Sequence, residues 1–262
     1  MYDLHAHILP GVDDGAVTPQ DTLAMSRVAA ETGTKVVLAT PHRKDVTENW
    51  SVGHLHTLIL NMNAQNRDHG VELSLVLGME NHLDTDLPAE IEAGRALPMN
   101  GTRYILIEMP FFGRPDFIED TLSEVQDMGL VPVLAHPERI EAFQDDPEML
   151  RKFIEKGMLS QITSGSVIGF WGEEVRRFTH DLLKQRMAHV MSSDTHQATG
   201  GRSPRMDVGL EQAADIVGYD AAIAMLVDTP KALLEDKPVE FEMPRRAILL
   251  STDQVFGVPF GP

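Results

Sequence analysis

The sequence predicts an α/β fold in which a single barrel of parallel strands is surrounded by helices. Short apolar runs alternate with amphipathic segments along the chain, as in repeated strand–helix units. Residues 36–38 and 131–134 are apolar on both faces, which is typical of parallel strands covered by helices. The length of 262 residues is that of one α/β barrel.

Seven strands are predicted, and amphipathic segments separate them. The predicted strands cover residues 2–7, 34–40, 71–79, 103–109, 130–135, 158–163 and 189–193. Strands of this spacing, connected by helices, form a parallel sheet with right-handed crossovers.

The helices begin and end on recognisable residues. Thr18 is suited to an N-cap, Pro19 to the first helical position, and Gly33 ends the same helix. Similar signals predict helices over residues 115–128, 147–156, 173–186, 206–217 and 220–226.

The domain organisation follows from the same alternation of segments. Residues 1–236 form one domain, with no internal repeat and no low-complexity linker. Residues 237–262 are a C-terminal extension that is rich in proline and has no helical period. We expect the extension to be an edge strand, a lid or a loosely ordered segment.

Composition excludes several classes of function. A net charge of −18 repels nucleic acid phosphate, so DNA or RNA binding is not expected, whereas divalent cations could offset part of it. The chain has no cysteine, which excludes disulfides, thiolate zinc sites and cysteine nucleophiles. There is no signal peptide pattern and no apolar run of membrane-spanning length, so we expect a cytoplasmic protein without membrane insertion.

Metal-ligand residues stand at the ends of six of the predicted strands. Because the carboxyl ends of parallel strands meet at one end of a barrel, these side chains should converge on a multi-metal hydrolytic site. The remaining predicted strand ends on polar residues 161–164 instead. The candidate ligands are His5, His7, His42, Glu80, Glu108, His136, Asp194 and His196, together with Asp13 and Asp14 in the loop after the first strand.

Each of these residues also has a structural interpretation. His5 and His7 project to the same face of a strand and could chelate one cation, but two strand histidines also occur without metal. Glu80 and Glu108 could cap neighbouring helices. The shared position at strand ends favours the metal site. His82, which follows Glu80, is assigned to a loop and left outside the predicted site.

Arginines near the predicted site are candidates for binding phosphate, because the guanidinium group matches phosphate oxygens. Arg139 follows His136 by three residues, and Arg202 follows His196 by six, so both should reach the barrel mouth in catalytic and substrate-binding roles. Arg43 and Arg205 are weaker candidates by the same reasoning.

The motifs together resemble the polymerase-and-histidinol-phosphatase superfamily. The segments that carry the resemblance include Leu-Pro-Gly-Val-Asp-Asp-Gly at residues 9–15 and Ala-His-Pro-Glu-Arg at residues 135–139. Within the superfamily, the chain is most similar to the bacterial manganese-dependent protein-tyrosine phosphatases of capsule and exopolysaccharide operons.

The resemblance implies a distorted seven-stranded (β/α) barrel that holds three divalent metal ions, most readily manganese, with iron or zinc as alternatives. It assigns His5, His7, Glu80 and Asp194 to one ion, and Glu80, Glu108 and His136 to a second. His42, His196 and either Asp13 or Asp14 would hold the third.

The resemblance also implies hydrolysis of phosphotyrosine on a protein, in particular on the tail of a bacterial tyrosine autokinase of polysaccharide synthesis. One alternative is a small-molecule phosphoesterase such as a histidinol-phosphate phosphatase. Another is an inactive metal-binding or scaffolding module, which the full set of ligands disfavours. The subunit count stays open.

Overall fold

The computed structural model describes residues 1–240. Residues 241–262, and with them most of the predicted C-terminal extension, lie outside the described residues.

The chain is a mixed α/β fold whose strands form two parallel sheets. The first sheet has the order β1-β2-β3 and the second β4-β5-β6-β7-β8. The strands are β1 (Tyr2–Ala6), β2 (Val36–Ala39), β3 (Ser74–Leu77), β4 (Asn81–His82), β5 (Tyr104–Glu108), β6 (Val131–Ala135), β7 (Leu159–Thr163) and β8 (Val190–Ser192).

Helices occupy connections between the strands and the segment that follows β8. They are α1 (Pro19–Glu31), α2 (Arg43–Asn49), α3 (Val52–Asp68), α4 (Leu87–Glu92), α5 (Ile118–Asp127), α6 (Glu141–Asp145), α7 (Pro147–Glu155), α8 (Ser164–Val167), α9 (Glu173–Lys184), α10 (Asp207–Val217), α11 (Tyr219–Ala224) and α12 (Asp228–Leu234). Within residues 1–240, none of these helices has both the length and the apolar character needed to cross a membrane.

All seven predicted strands are present, and the described residues contain one further short strand, which makes eight. The additional strand β4 is two residues long, too short to show any periodicity in the sequence. Its residues pair with β5, Asn81 with Ile107 and His82 with Glu108.

The two sheets contact each other at both edges. On one side, the backbone N–H of Asp194 donates to the carbonyl of His5 at 2.9 Å, and that of His7 to Thr195 at 2.9 Å. On the other side, Glu80 forms a parallel bridge with His42, and the next residue, Asn81, pairs with β5. The seven-stranded barrel remains a prediction, but the sheets meet as a barrel requires.

The strands share an apolar interior. One cluster contains buried side chains from both sheets, and Val76 of β3 packs against it. The buried strand residues of that cluster include Leu4, Leu38, Leu106, Val133, Leu159 and Val190. Two further clusters lie between the strands and the helices that cover them.

The first helix begins as the sequence predicts. The Thr18 side chain accepts from the backbone N–H of Asp21 at 3.2 Å, and the Asp21 carboxylate accepts from the backbone N–H of Thr18 at 2.8 Å. This capping box, with Pro19 at the first position, satisfies donors that the first turn leaves free and stabilises the helix by about 1 kcal/mol. It also fixes where the loop of residues 9–17 rejoins regular structure.

His189, just before β8, should make the fold sensitive to acid. Its Nδ1 atom accepts from the backbone N–H of Ser160 at 3.0 Å, and burial lowers the pKa of the imidazole from 6.5 to about 4. The unfolded chain therefore takes up this proton at higher pH than the folded protein. The contribution to stability is complete above pH 6.5 and decreases as the pH falls towards 4, by up to about 3 kcal/mol.

The substitution His189→Asn keeps a hydrogen-bond acceptor near the position of Nδ1 and removes the titratable imidazole. Its free energy of unfolding, measured with urea, should fall less between pH 6.5 and 4.5 than that of the wild type. His56→Asn, at an exposed position of α3, is the matched control. If the free energy of unfolding fell equally with pH in the wild type and in His189→Asn, His189 would not be the cause of the acid sensitivity.

Candidate metal centre

Imidazoles and carboxylates meet at the carboxyl ends of the strands, and two of the imidazoles lie at the centre. His5 and His7 alternate along the end of β1, so their rings lie on one face, with their Nε2 atoms 3.3 Å apart. The Nε2 of His5 is 3.2 Å from Glu80 Oε1 and 3.4 Å from Asp194 Oδ1. The Nε2 of His7 is 3.3 Å from Glu80 Oε2 and 3.5 Å from Asp194 Oδ1. Ligand atoms of His5, His7 and Glu80 lie within 4.8 Å of one another, and Asp194 Oδ1 lies beside both imidazoles, so these side chains can hold a divalent cation.

A second group shares Glu80. His136 Nε2 lies 3.0 Å from Glu80 Oε1 and 3.6 Å from Glu108 Oε1. All three side chains are buried. A carboxylate that contacts both groups is suited to bridge two neighbouring cations.

A third group lies on the other side of His7. Asp14 Oδ1 is 3.0 Å from His196 Nε2 and 3.6 Å from His42 Nε2. Ligand atoms of Asp14, His42, His196 and His7 lie within 4.8 Å of one another. Asp14 is the exposed member, so this group is the most open to solvent.

The two neighbouring aspartates make different contacts. Asp13 Oδ2 is 2.7 Å from His7 Nδ1 and accepts from the backbone N–H of His42 at 3.2 Å. Asp13 Oδ1 accepts from the backbone N–H of Gly15 at 3.1 Å. Asp13 therefore orients His7 from behind, whereas the carboxylate of Asp14 faces the imidazoles of the third group.

His5 is held in the same way by a different residue. Its Nδ1 atom lies 2.8 Å from Oε1 of Gln161, the central residue of β7. Partners of this kind on the second ring nitrogen fix the orientation of an imidazole and leave Nε2 free for a cation. The strand β7, which carries no charged candidate ligand, thus orients a candidate ligand on β1.

Two residues of the cluster have left-handed backbones although neither is glycine. His136 has φ 32° and Asp194 has φ 52°. Such conformations are uncommon for residues with a Cβ and cluster at functional sites, where the surrounding structure holds them. Ser193 directly follows β8. Its backbone N–H donates to the buried Asp3 carboxylate at 3.0 Å, and its hydroxyl group donates to the same carboxylate. The backbone at Asp194 is therefore fixed by its neighbour.

Charge interactions within the cluster shift the pKa values of its imidazoles and carboxylates. Burial opposes the charge of Glu80, but His5, His136 and His42 outweigh it and hold its pKa well below the usual range. Burial likewise opposes charge on His7, yet hydrogen bonds with Asp13 and Glu80 raise its pKa to about 10. Asp14 and Glu80 raise the pKa of His42 to about 11, against the effect of burial. Protons therefore balance part of the carboxylate charge, and bound cations would displace them.

Glu108 and His136 titrate in the opposite sense. Burial, together with the charge of Glu80, raises the pKa of Glu108 to about 7. Burial and the nearby Arg139 guanidinium lower the pKa of His136 to about 4. A neutral imidazole is the form that binds a cation, so His136 is ready as a ligand at neutral pH.

Two of the predicted arginines face the cluster. Arg139 Nη2 lies 2.7 Å from Asp194 Oδ2, and Arg202 Nη2 lies 3.6 Å from Asp194 Oδ1. Both line a cavity of about 720 Å³ whose polar floor includes Asp14, His42, Glu80, Glu108, His136 and Asp194. An anion that enters the cavity would meet both guanidinium groups.

The other predicted arginines do not reach the cavity. Arg43 is buried and pairs with Asp84 at 2.6 Å, and it also donates to the carbonyl of His82. This geometry does not support a role for Arg43 in binding phosphate. The neighbouring residue, Lys44, lines the cavity. Arg205 pairs with Asp207 at 2.6 Å on the surface.

His82 is a further candidate ligand, outside the set that the sequence predicts. It belongs to β4 rather than to a loop, and its Nε2 lies 3.0 Å from Glu108 Oε2. Ligand atoms of His42, His82 and Glu108 are close enough to hold an ion. The signal was present in the sequence, because His82 follows Glu80 at the same two-residue spacing that relates His5 to His7.

Comparison with known proteins adds to this geometry. The family described as capsular polysaccharide synthesis, CpsB/CapC, matches residues 1–235. The chain belongs to the CpsB/CapC family. This agrees with the resemblance in the sequence motifs, because the matched residues include all the candidate ligands.

Named relatives of this CpsB/CapC protein are tyrosine phosphatases. Tyrosine-protein phosphatase YwqE of Bacillus subtilis is 33% identical over 196 residues, which cover 75% of this chain and 77% of the relative. Tyrosine-protein phosphatase CpsB of Streptococcus pneumoniae is 26% identical over 242 residues, which cover 90% of this chain and 99% of the relative.

A solved structure agrees with the sequence comparison. It comes from crystal structures of YwqE from Bacillus subtilis and CpsB from Streptococcus pneumoniae, which are described as unique metal-dependent tyrosine phosphatases. It superposes with a TM-score of 0.86 at 30% identity and covers 94% of this chain and 98% of that chain. The imidazole and carboxylate groups of this CpsB/CapC protein fit a metal-dependent site, because such mixed donors suit manganese, iron and zinc.

Glu138 should stabilise the loop that carries His136 and Arg139. It is buried, and its Oε1 atom accepts from the backbone N–H of Thr163 at 2.9 Å and from the Thr163 hydroxyl at 3.1 Å. Glu138→Ala leaves these donors unsatisfied and should lower the free energy of unfolding by about 1–3 kcal/mol. Glu138→Gln keeps the acceptor and should lie within about 1 kcal/mol of the wild type.

Urea denaturation of both variants at pH 7 tests this contribution. An equal loss of stability in the two variants would mean that the negative charge of Glu138, rather than its acceptor atom, holds the loop.

Proposed function

We propose that this protein is a metal-dependent phosphatase that removes phosphate from tyrosine in proteins. One observation carries the proposal: a buried cluster of metal-ligand groups and two arginines line the same cavity. The named relatives support the phosphotyrosine activity and do not support the histidinol-phosphate alternative.

We propose three divalent cations, with manganese as the first choice. His5, His7, Glu80 and Asp194 would hold one, and Glu80, Glu108 and His136 a second. Asp14, His42 and His196 would hold the third, with Asp13 orienting His7 instead of binding a cation. Cations bound there would lower the pKa of bound water, so that it ionises near neutral pH, and would neutralise charge on the phosphate.

The protein's own groups orient the substrate. Arg139 and Arg202 donate to phosphate oxygens, where negative charge is distributed in the transition state. Asp194 lies close to both guanidinium groups and holds them over the cluster. The leaving group of a phosphotyrosine is a phenolate with a pKa of about 10, so it needs less protonation than an alkoxide.

We further propose that the sheets form the distorted seven-stranded barrel. Support comes from the shared apolar cluster, which receives residues from β1, β2, β5, β6, β7 and β8, with Val76 of β3 packed against it. In this assignment residues 1–236 form the catalytic domain. A phosphorylated bacterial tyrosine kinase tail is the proposed protein substrate, and the cytoplasmic location stays a prediction.

Metal removal and restoration test the function. Protein dialysed against a chelator should lose hydrolysis of p-nitrophenyl phosphate and of a phosphotyrosyl peptide, and manganese, iron or zinc should be added back singly. His136→Ala and Asp194→Ala should lower turnover of the reloaded protein at least about 100-fold. His56→Ala, on the exposed face of α3, is the control.

Full activity in the demetallated protein would overturn the proposal. A clear preference for histidinol phosphate over the phosphotyrosyl peptide would replace the substrate with a small molecule while keeping the metal site.

The two aspartates should behave differently towards metal. Asp14→Asn removes a proposed ligand and should lower the number of manganese ions bound per chain, measured by elemental analysis after gel filtration. Asp13→Asn should keep the full number but weaken binding about 10- to 100-fold, as expected for a group that orients a ligand. Loss of one ion in Asp13→Asn, with full occupancy in Asp14→Asn, would reverse the assignment.

A further inference from the structure

We propose that Phe111 and Trp171 form an aromatic clamp that binds the ring of a phosphorylated tyrosine and makes aryl phosphates the preferred substrates. This inference rests on the proposed function, because it assumes that phosphate binds at the metal cluster. It assigns a specificity role to residues outside the set of ligands and arginines.

The two aromatic side chains stand above the cluster in different connections. Phe111 lies in the segment after β5, and Trp171 lies between α8 and α9. Both line the cavity, and they are 38% and 37% exposed, respectively. Each ring therefore has surface available to a molecule that enters the cavity.

Arg139 connects the clamp to the phosphate position. Its guanidinium carbon lies 4.9 Å from the centre of the Trp171 ring and 5.8 Å from that of Phe111. The guanidinium carbon of Arg202 lies 5.8 Å from Trp171. A phosphate held by these arginines would place its ester oxygen, and the group attached to it, beside the two rings.

The cavity wall has the chemistry that an aryl group requires. Besides the floor residues, the two arginines, Lys44 and His82, the cavity is lined by apolar side chains: Leu83, Met109, Pro110, Phe111, Trp171 and Val175. A charged floor under an apolar wall matches a substrate with an anionic end and an apolar body. The phosphate ester of a small polar alcohol would leave this apolar wall exposed to water. Its binding would therefore lack the favourable free energy of burying apolar surface.

The clamp residues are held in place by their own contacts. The Phe111 ring stacks on His136 with centroids 5.5 Å apart, and its carbonyl accepts from the backbone N–H of Glu141 at 3.1 Å. Trp171 packs edge to face against Phe170 at 4.8 Å. Phe170 in turn lies on Gly201, where a Cβ atom would come within 1.8 Å of the ring. Ordered rings bind a ligand with a smaller loss of conformational entropy than mobile ones.

Binding of two phosphonates to the manganese-loaded full-length protein tests the clamp independently of turnover. Phenylphosphonate and ethylphosphonate share the anionic group, and titration calorimetry gives a Kd for each. In Phe111→Leu and Trp171→Leu, the preference for phenylphosphonate should fall about fivefold to tenfold, in line with typical aromatic pair energies. Ethylphosphonate binding should change less, because its short alkyl group offers no aromatic face to the two rings.

Matched variants separate the clamp from general damage. Phe112→Leu changes the neighbouring ring, which is 83% exposed and does not line the cavity, and it should keep the wild-type preference. Phe111→Tyr and Trp171→Phe keep an aromatic face and should keep most of the preference.

An equal loss of affinity for both phosphonates in the leucine variants would overturn the clamp, since it would show that the rings only support the arginines. An unchanged preference would overturn it as well. A different result would overturn the proposed function: the absence of metal-dependent hydrolysis of p-nitrophenyl phosphate by the wild type. The calorimetry measures binding and does not depend on that hydrolysis.

Discussion

A single buried carboxylate, Glu80, organises the whole active end of this protein. Its two oxygens lie 2.9 to 3.3 Å from ring nitrogens of His5, His7, His42 and His136. A buried carboxylate without such partners would be too costly to keep ionised. The imidazoles therefore stabilise Glu80, and Glu80 in turn fixes the positions of rings contributed by three different parts of the chain.

Glu80 also lies at one of the two places where the sheets meet. It bridges to His42 beside the first sheet, and the next residue, Asn81, enters the second sheet by pairing with Ile107. The Asn81 side chain donates to the carbonyls of Met79 and Leu106 at 3.0 Å, and to that of Leu97 at 3.1 Å. The junction of the sheets and the centre of the proposed metal site are thus the same few residues. A change at this junction would disturb the architecture and the ligands together.

Much of this arrangement could be predicted from the sequence, because it depends on local periodicity. Seven strands were recognisable from their apolar residues, and the shared position of the ligands at strand ends predicted that they would converge. Details that depend on the third dimension were not accessible. The choice between Asp13 and Asp14 depends on which carboxylate meets His7 Nδ1, and the direction of Arg43 depends on Asp84, forty-one residues away. The two-residue strand β4 is too short to be recognised as a strand, although the two-residue spacing of Glu80 and His82 is visible in the sequence.

The floor and the wall of the cavity come from different kinds of structure. The floor consists mainly of side chains at strand ends, whose backbones are fixed by the sheets and, at Asp194, by Asp3. The upper wall comes largely from connecting segments, including those that carry Phe111 and Trp171. Connecting segments tolerate substitution better than strands do. The chemistry of phosphate hydrolysis can therefore stay constant on the strand ends, while the residues above it determine which phosphate esters reach the cluster.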